Sequence, residues 1–180
     1  MCRVRERRAD HERHRARDFE SFVAGAAGRL LHTATLLTTE PLHPPGANPR
    51  AQRLLTAALA RTYARWERLR GEDPYDRARR ELVVRFAHEV WRHHRPRGGP
   101  LDPLTPQERL VLVLRLYEGV AEEQAAALLG LPVDRLRAVC HRSVATLRGA
   151  RRPASRWLPR RPRRSPGKTR QPRRPMRAAP

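Results

Sequence analysis

The chain has 180 residues, with 39 lysines and arginines against 18 aspartates and glutamates, and its formal net charge is +21. This charge indicates a polyanionic partner, either nucleic acid or an anionic membrane surface. No apolar run approaches the length of about eighteen residues that spans a bilayer, and residues 1–17 lack the apolar stretch of a secretory signal. Cys2 and Cys140 lie too far apart to indicate a disulfide framework, so we expect a cytoplasmic protein.

Composition divides the chain into five segments. Residues 1–17 are a charged N-terminal extension without apolar periodicity, which we expect to be either a frayed extension or the product of a start codon assigned too early. Residues 18–95 and 104–150 show helical periodicity and are predicted to be two small domains, joined by a Pro/Gly-rich linker at 96–103. Residues 151–180 hold twelve basic residues, seven prolines and no acid. We expect this tail to be disordered, because it cannot bury enough apolar surface to offset the entropy of ordering.

Apolar side chains of the first half recur at three- and four-residue steps, which is the period of an α-helix. The three stripes are Phe19, Phe22, Val23, Ala26, Leu30, Ala34 and Leu37; Leu55, Leu59, Thr62, Trp66 and Leu69; and Leu82, Val83, Phe86, Val90 and Trp91. Asp73-Pro74 is a typical start for the third helix. No segment alternates as a strand does, so the sequence predicts an all-α fold.

The second half begins with a capping box, in which Thr105 and Glu108 flank the start of a fourth helix that is predicted to run through Tyr117 to Gly119. Residues 121–148 then show the pattern of a helix-turn-helix, with Gly130 where a helix end needs a left-handed residue. The buried faces of its two helices are predicted to be Ala125, Leu128 and Leu129, followed by Leu136, Val139, Ser143, Val144 and Leu147.

The opposite face of the second of these helices carries the candidate DNA contacts, which are Arg135, Arg137, His141 and Arg142. Arginine paired with guanine is the commonest specific contact in the major groove. Asp134 is a candidate cap at the start of the same helix. The alternative is an ordinary helical hairpin whose basic face is only solvated.

The segment from Leu104 to Arg148 resembles region four of RNA polymerase sigma factors of the extracytoplasmic-function type, in the SigE-like group of actinobacteria. The residues that carry the resemblance are Leu104, Arg109, Leu114, Arg115, Tyr117, Glu118, Leu129, Gly130, Arg142, Leu147 and Arg148. Upstream, the order of segments resembles region two: its first helix at 19–23 and 30–38, the polymerase-binding and melting segment at 57–66, and the helix that reads the minus-ten element at 79–85 with Trp91 and Arg92.

The resemblance implies a protein that binds core RNA polymerase, opens promoter DNA with region two and reads the minus-thirty-five element with region four. It implies an anti-sigma factor as a further partner. The residues implied in DNA binding and melting are Tyr63, Trp66, Tyr75, Arg85, Trp91 and Arg92. The implied contacts to core polymerase are Leu54, Leu55 and Leu59. Core packing is the alternative role for Trp66 and Trp91, because both lie on apolar stripes.

Departures from the family pattern indicate a divergent sigma factor, and the one in the polymerase-docking stretch favours an alternative. Arg53 stands where the family has an acid in the polymerase-docking stretch, and the linker at 96–103 spans only about 28 Å when fully extended. A stand-alone helix-turn-helix regulator therefore remains a second hypothesis, and a basic structural or RNA-binding protein that acts through its tail is a third. His88, His93 and His94 lack further ligands at suitable spacing, so we expect no metal site. We also expect no cofactor and no enzymatic activity, because no catalytic arrangement of side chains is recognisable.

Overall fold

The computed structural model describes residues 2–44, 46–69 and 71–150, and these residues form six α-helices and no strand. The all-α prediction is therefore confirmed for this part of the chain, whereas the predicted tail at 151–180 lies outside it. In chain order the helices are α1 (Cys2–Thr38), α2 (Pro49–Ala64), α3 (Pro74–His88), α4 (Pro106–Leu112), α5 (Glu122–Leu129) and α6 (Val133–Ala150). None of these helices is long and apolar enough to cross a membrane.

Helix α1 begins well before residue 18 and includes the segment for which we expected a frayed extension. Arg13 pairs with Asp10 one turn earlier, at 2.5 Å between Nη2 and Oδ1, and pairs at this spacing support a helix. Arg15 donates to the backbone carbonyl of Tyr63 at 2.8 Å, and its guanidinium lies 4.3 Å from the centre of the Tyr63 ring. The extension is therefore held against the end of α2 by contacts distant in sequence, which apolar periodicity does not reveal.

The predicted helix starts are confirmed. The Asp73 carboxylate accepts a hydrogen bond from the backbone N–H of Tyr75 at 3.0 Å, at the start of α3. In the capping box, Thr105 Oγ1 accepts from the N–H of Glu108 at 3.3 Å, and the Glu108 carboxylate accepts from the N–H of Thr105 at 2.9 Å. Each bond satisfies a helix N–H that has no partner within the helix.

Two helices end earlier than their apolar stripes predict. After α2 and after α3 the chain makes a short 3₁₀ turn, at Trp66–Arg68 and at Val90–Arg92. Trp91 is consequently turned outward and is 66% exposed, so its alternative role in the core is wrong. Trp66 is half-buried, and its ring packs edge-on against Phe19 with 5.1 Å between centroids.

Helices α1, α2 and α3 pack into one bundle, and α4, α5 and α6 into another. Buried side chains of the first bundle include Leu30, Ala34, Leu37, Leu54, Ala58, Leu82, Val83 and Phe86. Those of the second include Leu110, Val111, Leu114, Ala125, Leu136 and Val139. The two sets form one continuous cluster, because α4 and the turn that follows it pack against α1.

The chain leaves α4 through a π-helical turn at Val113–Tyr117, which is an uncommon conformation. The backbone N–H of Glu118 bonds to the carbonyl oxygen of Val113, five residues earlier, at 2.9 Å. Leu116 on this turn is 62% exposed, whereas Glu118 is buried. The turn therefore directs a carboxylate inward, toward the first bundle.

The linker at 96–103 lies against the end of α1. The N–H of Gly99 donates to the carbonyl oxygen of Thr39 at 2.9 Å, and the Asp102 carboxylate accepts from the N–H groups of Arg97 and Gly98. A Cβ atom on Gly99 would lie 2.5 Å from the carbonyl group of Thr39, so only glycine permits this approach.

Candidate nucleic-acid interface

Helices α5 and α6 form the predicted helix-turn-helix. Gly130 ends α5 in the left-handed region at φ 64°, and the N–H of Leu131 reaches back to the carbonyl oxygen of Ala126 at 2.9 Å. This bond satisfies a carbonyl at the end of α5 and fixes the turn. Leu136, Val139 and Ser143 then face the core from α6, as the sequence predicts. The buried face leaves the opposite face of α6 to solvent.

All four candidate DNA contacts on α6 are exposed: Arg135, Arg137, His141 and Arg142. Neither Arg135 nor His141 makes an ion pair or a side-chain hydrogen bond with any residue that the structure describes. Arg142 Nε lies 3.5 Å from a carboxylate oxygen of Glu108. The four side chains line one surface, but their charges are not equally available to a phosphate or a guanine.

Arg137 is the most engaged of the four. Its guanidinium donates to Glu122 on α5 at 2.8 and 3.2 Å, and it also pairs with Asp134 at 3.2 Å. The hydrogen bond from Arg137 lowers the pKa of the Glu122 carboxyl and the same bond raises the pKa of Arg137. Asp134, predicted as a helix cap, is 95% exposed at its side chain and bonds to Arg137. Arg137 therefore ties the two helices of the motif together.

The structure separates the predicted DNA-melting residues into three places. Tyr63 and Trp66 lie at the end of α2 against Phe19. Tyr75 lies at the start of α3, where it is partly buried. The third group is at the other end of α3: Arg85, Trp91 and Arg92.

This third group is arranged around one carboxylate. Glu89 pairs with Arg85 at 3.3 Å and with Arg92 at 3.4 Å, and the Arg92 guanidinium lies 4.7 Å from the centre of the Trp91 ring. An exposed indole with one arginine over its ring and a second arginine on the same carboxylate has the chemistry of a single-strand binding surface, because a base can stack on the ring while phosphates meet the cations.

The predicted polymerase contacts face mostly inward. Leu54 and Leu55 are buried in the first bundle, and Leu59 is half-buried against it. Arg53, one residue before them, is exposed and lines a crevice together with Arg50, Arg85 and Arg92. The surface of α2 that a partner can reach is therefore basic at this end.

Glu118 and His93 are buried ionisable residues that were not among the predicted sites. The Glu118 carboxylate accepts hydrogen bonds from the hydroxyl groups of Thr33 and Tyr75, the latter at 3.0 and 3.1 Å. Burial, followed by the negative charge of Glu118, raises the pKa of Tyr75. His93 is stacked on Phe86 at 4.5 Å, and burial, followed by the positive charge of Arg97, lowers its pKa to about 4. Glu118 is part of the sequence motif, but the motif does not indicate what the carboxylate contacts.

Comparison with known proteins decides between the hypotheses for the chain. The RNA polymerase sigma-E factor of Streptomyces coelicolor is 30% identical to it, and the match covers 73% of this chain and 84% of that protein. This chain belongs to the extracytoplasmic-function group of RNA polymerase sigma factors. The sigma-E factors of Streptomyces antibioticus and Streptomyces avermitilis are 30% and 28% identical to this sigma factor, with 83% of each covered. No protein-family model and no solved structure matches it.

The family assignment confirms the resemblance found in the sequence, and the stand-alone regulator is not favoured. The alignment with the Streptomyces coelicolor protein extends over 156 positions, whereas 73% of the 180 residues of this sigma factor is only about 131. The relative therefore has residues within the aligned region that this sigma factor lacks.

Proposed function

We propose that this sigma factor binds core RNA polymerase and directs it to promoters in the cytoplasm. The observation that carries the proposal is the helix-turn-helix, whose exposed basic helix α6 occurs in a chain similar along most of its length to Streptomyces sigma-E factors. In this proposal α6 enters the major groove at a minus-thirty-five-type element, as the second helix of such motifs does. We propose an anti-sigma factor as a further partner, because the family resemblance implies one.

In this proposal the two domains, at residues 18–95 and 104–150, have separate roles in DNA binding. The second would hold the duplex through Arg135, His141 and Arg142. The first would open it, with Trp91 receiving an unstacked base while Arg85 and Arg92 meet the phosphates. Tyr63, Trp66 and Tyr75 are proposed to complete the melting surface. Stacking is worth about 1–3 kcal/mol per base, enough to favour a flipped base once the duplex is locally open.

Core polymerase is proposed to dock on α2. Because Leu54 and Leu55 support the bundle from inside, the direct contacts would come from Leu59 and from its exposed neighbours. Arg53 stands in this docking stretch where the family has an acid. A positive charge in place of a negative one repels a basic partner surface. Docking would therefore be weaker than that of a relative with an acid at this position.

The experiment that tests the proposed function is reconstitution with core polymerase. The full chain should co-purify with core RNA polymerase and should produce new run-off transcripts from genomic promoter fragments. The paired variant Arg53→Glu should bind core polymerase more tightly than the wild type. A chain that binds no polymerase, yet retains particular DNA fragments by itself, is a helix-turn-helix regulator and not an active sigma factor.

Two arginines on α6, one unpaired and one held by carboxylates, give a matched pair of variants that tests DNA binding. Arg135→Ala should weaken binding to a promoter fragment by about tenfold or more, because an unpaired arginine loses its base or phosphate contact. Arg137→Ala should weaken binding less, because Glu122 and Asp134 already hold that guanidinium. Fluorescence anisotropy with a labelled duplex measures both. An equal or larger loss for Arg137→Ala would contradict the assignment of Arg135 as the principal contact.

A further inference from the structure

The crevice between α2 and the end of α3 is lined by four arginines and one carboxylate. Arg50 and Arg53 come from α2, Arg85 and the carboxylate of Glu89 from the end of α3, and Arg92 from the 3₁₀ turn that follows. The crevice has a volume of about 160 Å³. Because a water molecule takes up about 30 Å³, this space holds a group of the size of phosphate, whereas a whole nucleotide would extend out of it.

The positive charge of this crevice is not balanced within the part of the chain that the structure describes. Glu89 pairs with Arg85 at 3.3 Å and with Arg92 at 3.4 Å, so one carboxylate serves two guanidinium groups. The side chains of Arg50 and Arg53 have neither an ion pair nor a hydrogen bond with any described residue. Guanidinium groups in such numbers repel one another, and a bound dianion would offset that repulsion.

A buried histidine gives a second, independent indication of a ligand. His93 lines the crevice and is only 4% exposed, yet neither of its ring nitrogens has a hydrogen-bond partner among the described residues. Buried polar atoms in proteins normally have such a partner. The ring is neutral near pH 7, because burial, and then positive charges of which Arg97 is the largest, lower its pKa. A neutral imidazole still carries one N–H, which an anion in the crevice would accept.

Side chains form this site, and the N-terminus of α2 does not contribute to it. The backbone N–H groups of Arg50 and Ala51 already donate to the Glu40 carboxylate, at 3.1 and 2.8 Å. An anion would therefore meet guanidinium groups, whose planar forks match the oxygens of a phosphate. A phosphomonoester carries nearly two negative charges near pH 7, whereas each phosphodiester of a nucleic-acid backbone carries one. The unbalanced charge of the crevice favours the monoester.

We propose that this crevice binds the dianionic phosphate group of a small phosphorylated molecule, with guanidinium groups from α2, α3 and the following turn around the phosphate and His93 as a further donor. The inference goes beyond the proposed function, because such binding needs neither polymerase nor promoter DNA. It also gives Arg53 a role of its own, as a ligand-binding residue in the stretch where the family has an acid.

The test follows the ring of His93 by NMR in the full chain labelled with ¹⁵N-histidine. Methyl phosphate, a monoester that is mostly dianionic at about pH 7.5, is titrated into the protein in a chloride buffer. The His93 resonance, identified by its loss in His93→Phe, should move and saturate, whereas that of the exposed His94 should move far less. Because the signal belongs to one ring, anions that bind elsewhere on the basic chain do not contribute to it.

Arg53 and an arginine outside the crevice provide matched variants. Arg53→Ala should weaken methyl phosphate binding at His93 by about tenfold or more, because a charge-assisted hydrogen bond is lost. Arg53→Lys should recover part of this loss, since it keeps the charge without the planar fork. The control Arg68→Ala removes an exposed guanidinium beyond the opposite end of α2 and should leave the affinity unchanged.

Dimethyl phosphate distinguishes a small phosphorylated ligand from a nucleic-acid strand, because it is a singly charged diester like the backbone. It should bind about fivefold more weakly than methyl phosphate, or more weakly still. A His93 resonance that does not move overturns the proposal, and so does an equal affinity in the wild type and Arg53→Ala. Dimethyl phosphate binding as tightly as methyl phosphate also overturns it, and would assign the crevice to a nucleic-acid backbone.

Discussion

Replacing Arg109 by leucine is expected to lower the free energy of unfolding by about 3–5 kcal/mol. The Arg109 side chain is almost fully buried and donates to three backbone carbonyls, those of Leu104 at 2.9 Å, His93 at 2.9 Å and Leu37 at 3.2 Å. Burial lowers the pKa of Arg109, but guanidinium groups stay charged in proteins. Leucine would leave all three carbonyls buried without a donor.

Equilibrium unfolding in urea, followed by circular dichroism, measures this loss. Arg109→Lys should recover only part of it, because an ammonium on a flexible stem cannot reproduce the planar fork that reaches carbonyls on three segments. Arg135→Leu is the matched control, since Arg135 is exposed on α6, and it should change stability little. A loss below about 1 kcal/mol for Arg109→Leu would show that the three bonds do not hold the bundles together.

The second large effect is a loss of the free energy of unfolding as the pH falls, which originates at His93. The pKa of His93 is about 4 in the folded chain against an ordinary value of 6.5, because the ring is buried and lies near the positive charges of Arg97 and Arg109, although Glu89 acts in the opposite direction. Between these two values the unfolded chain binds a proton that the folded chain does not. Stability is therefore full above about pH 6.5 and falls by up to about 3 kcal/mol as the pH approaches 4.

His93→Phe should remove this component, because neither ring nitrogen of His93 has a hydrogen-bond partner within the described residues and the ring already stacks on Phe86. The variant should equal or exceed the wild type in stability at pH 5, and the gap between them should close toward pH 7.5. Urea unfolding across this range measures the difference. The control is the same change at the exposed neighbour, His94→Phe, which should leave the acid dependence intact. Parallel curves for wild type and His93→Phe would rule out His93 as its origin.

The sequence predicts the local structure well where local chemistry determines it. The helix start at Asp73, the capping box at Thr105 and the left-handed Gly130 depend on a few neighbouring residues, and each was found as predicted. The buried face of α6 follows from a period of 3.6 residues. The basic face opposite it could therefore be located before any coordinates were known.

Contacts between distant segments were not predictable in the same way. Arg15 against Tyr63 and Glu118 against Tyr75 join residues 48 and 43 positions apart. Nothing in their local sequence distinguishes them from solvated side chains. The alternative core role of Trp91 was wrong for a different reason. It continues an apolar stripe at helical spacing, but a 3₁₀ turn rotates it out of that register into solvent.

The π turn at Val113–Tyr117 makes the packing of the two bundles against each other sensitive to chain length. Each residue of an α-helix advances the chain by about 100° around the axis, and a π turn accommodates one residue more than an α-turn does. Deleting one residue from this turn would rotate Glu118 by roughly a quarter of a revolution, away from Thr33 and Tyr75. A single insertion or deletion in a relative would thus disconnect the two bundles while every helix and every side chain proposed to contact DNA stays unchanged.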